Sequence, residues 1–212
     1  MVETQHAASL QNHFGLRVIY SLTMARKSGS KKNRAQVVSS KTVYRGPVFN
    51  VTTDYVREPG IAKPLRRDMV RHQGSVVVLA VDERGGEPRV LLARQYRHAV
   101  GGPLWELPAG RIDHGESALA GAKRELLEET GITAREWRHA FTFYSSPGFL
   151  DETMAIYLAR GLTRGAARPE EDEMIAKRFF PLAQAVRMAM NGALRDGKTI
   201  AAILWYERSL GR

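Results

Sequence analysis

Residues 75–81 read SVVVLAV, a continuous β-branched run without the alternation that a strand buried on one side shows. Such a strand is buried on both faces, so the rest of the chain must cover it from two sides. The segments that follow are suited to this. Residues 84–87 (RGGE) form a turn, residues 89–96 return as a second strand, and this hairpin feeds into residues 104–110. Residues 116–130 are the clearest helix: Ala118, Leu119, Ala122 and Leu126 recur at helical spacing, and Gly131 stands where a left-handed cap is wanted. Strands are expected at 137–144, 153–159 and 177–181, an acidic Gly- and Arg-rich loop at 162–173, and helices at about 182–190 and 199–210. Upstream, residues 43–56 and 66–72 read as strands, with Pro59, Gly60 and Pro64 marking the turn between them. The order predicts an α+β or mixed α/β sandwich with helices on its faces.

At 212 residues the chain has room for one full domain plus extensions. Residues 41–212 are assigned to that domain and residues 1–40 to a flexible basic leader. The formal charge is +10, which raises the question of nucleic-acid binding. Residues 1–45, however, carry Arg17, Arg26, Lys27, Lys31, Lys32, Arg34, Lys41 and Arg45 against Glu3 alone, a net +7. The remainder holds only +3, so the basicity belongs to the leader and nucleic acid is not the expected partner. The absence of cysteine excludes disulfides, thiolate metal sites and cysteine nucleophiles, so a metal would be held by oxygen or imidazole. No apolar run approaches the roughly 20 residues that cross a bilayer. Residues 14–24 are the one candidate signal sequence, but Arg17 interrupts them and no small-residue cleavage site follows, so a cytoplasmic protein is expected. Met24 is an alternative start; an intact mass from the native cell that includes residues 1–23 would exclude it.

Chemistry concentrates in residues 110–132, GRIDHGESALAGAKRELLEETGI. Glu125, Glu128 and Glu129 lie at i, i+3 and i+4, which brings three carboxylates to one side of a helical turn. Like charges so placed repel by roughly a few tenths of a kcal/mol per pair, so a cation is expected among them. Magnesium, or alternatively manganese, suits oxygen ligands and keeps coordination positions for phosphate oxygens. Arg124 supplies a permanent charge able to orient a neighbouring carboxylate. Gly110 and Gly115 permit the tight loop into the helix. Taken alone, an E-x-x-E-E pattern is more often a solvated acidic helix face.

The full spacing resembles the Nudix box at every fixed position: Gly110, five residues, Glu116, seven residues, Arg124, Glu125, Leu126, one residue, Glu128, Glu129, one residue, Gly131 and Ile132. The resemblance implies the Nudix α/β/α sandwich with a mixed central sheet and a small N-terminal β extension, and hydrolysis of a nucleoside diphosphate linked to another group. It implies metal ligation by Glu125 and Glu129, with Glu128 and Glu116 in support and the backbone carbonyl of Ala109 as a further ligand.

RQYR at 94–97, ELPAG at 106–110 and SSPG at 145–148, with Pro147 lying 16 residues beyond Gly131, resemble the ADP-ribose pyrophosphatase branch. That resemblance implies ADP-ribose as substrate and AMP and ribose 5-phosphate as products, with GDP-mannose or another nucleotide sugar as the alternative. It implies a homodimer, with the strands at 41–73 at its interface. Arg97 is the candidate phosphate binder, since a guanidinium offers a planar donor fork to phosphate oxygens. Arg111, Glu152 and Arg67 are further candidates for the substrate, and Phe49 or Tyr44 for stacking on the base. The general base is expected from the acidic loop, at Glu171 or Glu173, with Glu173 also a possible metal ligand; Glu152 is the alternative. Glu129 and Arg124 complete the catalytic set. A non-catalytic sensor of ADP-ribose or nucleic acid is the rival from another class.

Overall fold

The computed structural model describes residues 34–164 and 176–211. A mixed sheet forms the centre, from strands β4 (Ser75–Asp82), β5 (Arg89–Arg97), β6 (Gly102–Glu106), β7 (Ala109–Arg111), β8 (Ile132–Tyr144), β9 (Thr153–Arg164) and β10 (Ala176–Pro181). Its main path runs β10-β5-β4-β9-β8, with β6 beside β5 and β7 beside β4. Within it β4 and β9 pair in parallel, and the other strand pairs are antiparallel. Helix α1 (Ala118–Thr130) covers one face; helices α2 (Leu182–Met190) and α3 (Gly197–Ser209) cover the other.

β4 shows why the central run has no polar alternation. Val76, Val78 and Ala80 pack with Ala122 and Leu126 of α1, whereas Val77, Leu79 and Val81 pack with Leu182, Ala185, Ala202 and Ile203 of α2 and α3. All six are at most 1% exposed. Each such valine or leucine contributes roughly 1.5–3 kcal/mol by burial, and the period-two geometry divides the contribution between two cores.

β4 and β5 pair only at Val81↔Val90 and Asp82↔Arg89. They then diverge: β6 takes the hydrogen-bonding edge of β5, and β7 takes that of β4. Leu107 and Pro108 break what the sequence suggested was one continuous stretch at 104–110. Proline cannot donate to a ladder, and here the Pro108 carbonyl instead accepts from the Val78 amide at 2.8 Å. The divergence opens a cleft at one end of the sheet, with the C-terminal end of β5 on one side and β7 on the other.

A separate three-stranded antiparallel sheet precedes the centre: β1 (Gln36–Arg45), β2 (Asn50–Arg57) and β3 (Leu65–Arg71), in that order. The expected single strand at 43–56 is two strands, because Gly46 and Pro47 open a turn closed by the Gly46 amide on the Phe49 carbonyl at 3.0 Å. Residues 36–40, assigned to the leader, pair in this hairpin, ahead of the expected boundary at 41. Residues 1–33 of the leader lie outside the described residues.

Arg71 joins the two sheets. Its guanidinium pairs with Asp54, donates to Thr52 Oγ1 at 3.1 Å, and reaches Asp151 Oδ2 at 3.0 Å in the loop between β8 and β9. The same loop contacts β3 through Val70, whose amide donates to the Phe149 carbonyl at 2.7 Å. The Ser40 hydroxyl, and then Thr52 and Arg71, hold the Asp54 carboxyl below its ordinary range against the opposing effect of burial.

Candidate active site

α1 begins two residues later than the expected start at 116. Ser117 is its N-cap, accepting from the Ala120 amide at 3.2 Å, so Glu116 sits in the loop ahead of the helix. At the other end the Gly131 amide donates to the Leu127 carbonyl at 2.7 Å with φ of +66°, a conformation in which glycine carries no steric penalty. The helix buries Ala122, Leu126 and Glu129 against the sheet. Those positions, i, i+4 and i+7, lie on one stripe, so the inward face that anchors α1 through Leu126 also carries a carboxylate, 6% exposed, to the end of the cleft.

A cavity of about 410 Å3 occupies that end, lined by Val48, Arg97, Ala109, Gly110, Arg111, Asp113, Arg124, Glu125, Glu128 and Glu129. It thus brings together Arg97, Arg111, Ala109, Arg124 and the three helix carboxylates, drawn from β5, β7 and α1. β7 comes close to the helix at Gly110: a Cβ there would coincide with the Glu125 carboxylate. The glycine therefore serves the approach of a carboxylate to the strand as well as the turn expected of it.

Arg124 organises the acidic side. It donates to both carboxylate oxygens of Glu116 at 3.1 and 3.0 Å, to Glu125 Oε1 at 2.8 Å, to Glu128 Oε2 at 3.0 Å and to the Arg111 carbonyl at 2.9 Å. Bonds to Glu116 and then to Glu125 and Glu128, outweighing burial, raise its pKa and keep it charged. Glu116 is correspondingly held below its ordinary range by Arg124, against burial, with help from the Asp113 amide. Glu116 does not line the cavity; it lies behind Arg124 and orients it. The sequence suggested that Arg124 would orient one carboxylate; it hydrogen-bonds three and lies 3.6 Å from a fourth, Asp113.

On the opposite wall Arg97 makes a two-bond fork to Glu106, Nε to Oε1 and Nη2 to Oε2, each 2.9 Å. Glu106 is 3% exposed. Burial would raise its pKa, but bonds from Arg97 and Lys198 prevail and hold it ionised below its ordinary range. Sequence reading attached no role to Glu106, although it opens the ELPAG motif, and none to Asp113 or Val48, which line the cavity.

Three expected substrate contacts are placed elsewhere among the described residues. Arg67 lies on β3 of the outer sheet and pairs with Glu58 at 2.6 Å, away from the residues that line the cavity. Glu152 accepts hydroxyl bonds from Ser75 at 2.6 Å and Ser145 at 2.9 Å, which makes it an anchor for the 145–152 loop. His72 Nδ1 lies 3.6 Å from Glu152 and 3.1 Å from the Gly74 amide nitrogen. Phe49 sits in the β1–β2 turn against Tyr44, ring centroids 5.8 Å apart, and lines an adjoining cavity of about 200 Å3 with Asn50, Arg71 and His72. Val48 belongs to both cavities. Glu171 and Glu173 lie outside the described residues.

The lining suits a hard cation: Glu125, Glu128, Glu129 and Ala109 line one cavity, and no sulfur or imidazole residue does. Among the described residues no three acidic or histidine side chains already converge on one point, and Arg124 draws Glu125 and Glu128 toward itself.

The NUDIX domain model matches residues 71–203. The chain belongs to the Nudix family. The Nudix match takes in every residue that lines the cavity except Val48, together with α1 and the first half of α3, and leaves out the outer sheet before Arg71. An ADP-ribose pyrophosphatase of Mycobacterium tuberculosis is 39% identical over 80% of this chain and 81% of its own length. One from Bacillus subtilis is 31% identical over 84% and 95%. A GDP-mannose pyrophosphatase of Escherichia coli is 30% identical over 76% of this chain and 88% of its own. A solved structure described as an ADP compounds hydrolase superimposes with a TM-score of 0.71 over 86% of this chain and 97% of that one, at 20% identity, which shows the same Nudix fold.

Proposed function

We propose that the protein hydrolyses the pyrophosphate bond of ADP-ribose, giving AMP and ribose 5-phosphate. The carrying observation is the single cavity in which Arg97 stands across from Glu125, Glu128 and Glu129, in a Nudix chain 39% identical to an ADP-ribose pyrophosphatase. A diphosphate needs cationic partners, a positioned water and a proton acceptor. Glu125, Glu128, Glu129 and the Ala109 carbonyl would hold divalent cations, magnesium in our reading, which neutralise phosphate charge and make water a better nucleophile.

The chain's own residues supply the rest. Arg97 binds a phosphate oxygen from the wall opposite the carboxylates, and Arg111 donates from β7. Arg124 keeps the carboxylates ionised and fixed in direction. Glu171 or Glu173 accepts the proton of the attacking water; the new bond joins water oxygen to one phosphorus, and the bridging oxygen leaves on the other phosphate. Phe49, which lines the adjoining cavity, would stack on a base that extends past Val48.

Relatives acting on GDP-mannose make that sugar nucleotide the second reading, because phosphate contacts do not distinguish the bases. Steady-state kinetics on both compounds separate the two: kcat/KM is expected to favour ADP-ribose by at least about tenfold, equivalent to about 1.4 kcal/mol of transition-state binding. A ratio favouring GDP-mannose would overturn the assignment. A wholly non-catalytic sensor is disfavoured by the complete set of box carboxylates.

We also propose that the outer sheet is the homodimer interface. β1 is a ten-residue edge strand, exposed at nearly every position, and Val37, Val38, Val43, Tyr44 and Tyr55 leave its sheet with an apolar surface. A long edge of this kind is normally paired or covered. Light scattering on the purified protein is expected to give twice the 23.7 kDa chain mass; a monomer at micromolar concentration would contradict the interface.

A further inference from the structure

Lys198 lies far from the box in sequence, and neither its spacing nor any motif around it draws attention. It is the second residue of α3 and is buried, with its side chain 9% exposed. Its ammonium donates to Glu106 Oε2 at 2.6 Å and to Asp196 Oδ1 at 2.9 Å. Oε2 is the oxygen that also accepts Arg97 Nη2. Two cations therefore share one buried carboxylate, and one of them lines the cavity.

The sharing matters because of what Glu106 would otherwise do. A buried carboxylate facing a single guanidinium through a two-bond fork forms a neutral, self-contained pair, and little of the arginine's field remains for another anion. A second cation on the same oxygen divides the carboxylate's charge. Asp196 pairs with Lys198 as well, and its other oxygen accepts the Thr199 amide at 3.1 Å and the Thr199 hydroxyl at 2.5 Å, so the start of α3 holds a cluster of two cations and two carboxylates in place. Thr199 Oγ1 in turn accepts the Leu107 amide at 2.8 Å, which fixes the first turn of α3 to the residue next to Glu106. Arg97 uses Nε and Nη2 on Glu106, and Nη1 is the guanidinium nitrogen outside that fork.

We propose that Lys198 is a positioning residue for diphosphate binding: by sharing Glu106 with Arg97 it preserves the charge and direction of the Arg97 guanidinium at the cavity wall. The inference rests on the hydrolase reading above, in that the anion bound by Arg97 is the substrate's diphosphate.

Lys198→Gln, whose amide can still donate to Glu106, tests it, with Lys198→Met as the second variant. For each the KM for ADP-ribose is expected to rise about tenfold with kcat within about twofold, the pattern of an interaction common to ground and transition states. Lys198→Arg, which keeps the charge, is expected to hold KM within about threefold of wild type. In an Arg97→Ala background Lys198→Gln is expected to add nothing, since its action passes through the missing guanidinium. An unchanged KM in folded Lys198→Gln and Lys198→Met overturns the proposal, as does an effect of full size in the Arg97→Ala background. If the wild-type protein leaves ADP-ribose intact, the proposed function fails, and the same cycle is read instead as the dissociation constant for ADP in magnesium buffer. A rise for Lys198→Gln that disappears without Arg97 still supports the inference there, and its absence still refutes it.

Discussion

Replacing Glu129 by glutamine is expected to lower kcat on ADP-ribose by on the order of 10²–10³, the cost of removing one preorganised charge-stabilising group. The side chain sits on the buried stripe of α1 at the cleft end of the sheet, so the variant keeps nearly the same shape where the shape is packed. What it loses is the charge a divalent cation requires. Glu125→Gln is expected to behave alike, because its amide oxygen can still accept Arg124 Nη1, as the carboxylate does at 2.8 Å, while its charge is gone. Both melting temperatures are expected within about 4 °C of wild type, the shift that 1 kcal/mol produces in a domain of this size. Turnover assays at saturating magnesium, with thermal melts alongside, check this. Near-normal turnover in both variants would remove these residues from the reaction.

The second large effect is expected from one methyl group. In Gly110→Ala the added Cβ occupies the place of the Glu125 carboxylate. That carboxylate is the far end of a flexible side chain, so it moves and the backbone pairing of Gly110 with Val76 survives. Turnover is expected to fall by about a hundredfold, as for loss of the ligand, while stability changes by less than about 1 kcal/mol. Activity at the wild-type level would mean that the position of Glu125 against β7 is immaterial. Unfolding of the variant would mean that Gly110 serves the fold first.

How much of this was legible follows from the range of the interactions. The run at 75–81 announced burial on both faces, and the two cores on either side of β4 bear that out residue by residue. The box carboxylates were legible because three positions within one helical turn need only helix geometry to come together. Arg97 and Arg111 line the cavity, whereas Arg67 pairs with Glu58 within the outer hairpin, a contact that no motif announced. Glu152 accepts the hydroxyls of Ser75 and Ser145, partners the sequence did not announce, because Ser75 comes from a strand 77 residues away. The turn at Gly46 and Pro47 was available as a turn signal, yet the apolar residues on both sides outweighed it. Lys198 had no signal at all, because its meaning depends on Glu106, 92 residues earlier.

We infer that the cavity carrying both Arg97 and the box carboxylates is a metal-dependent pyrophosphatase site for ADP-ribose. AMP release from ADP-ribose by protein stripped of metal with a chelator and then titrated with magnesium tests this. No release above background is expected without the ion, with saturable release in its presence and AMP and ribose 5-phosphate in equal amounts. Release at full rate from the stripped protein, or none at any magnesium or manganese concentration, would contradict it.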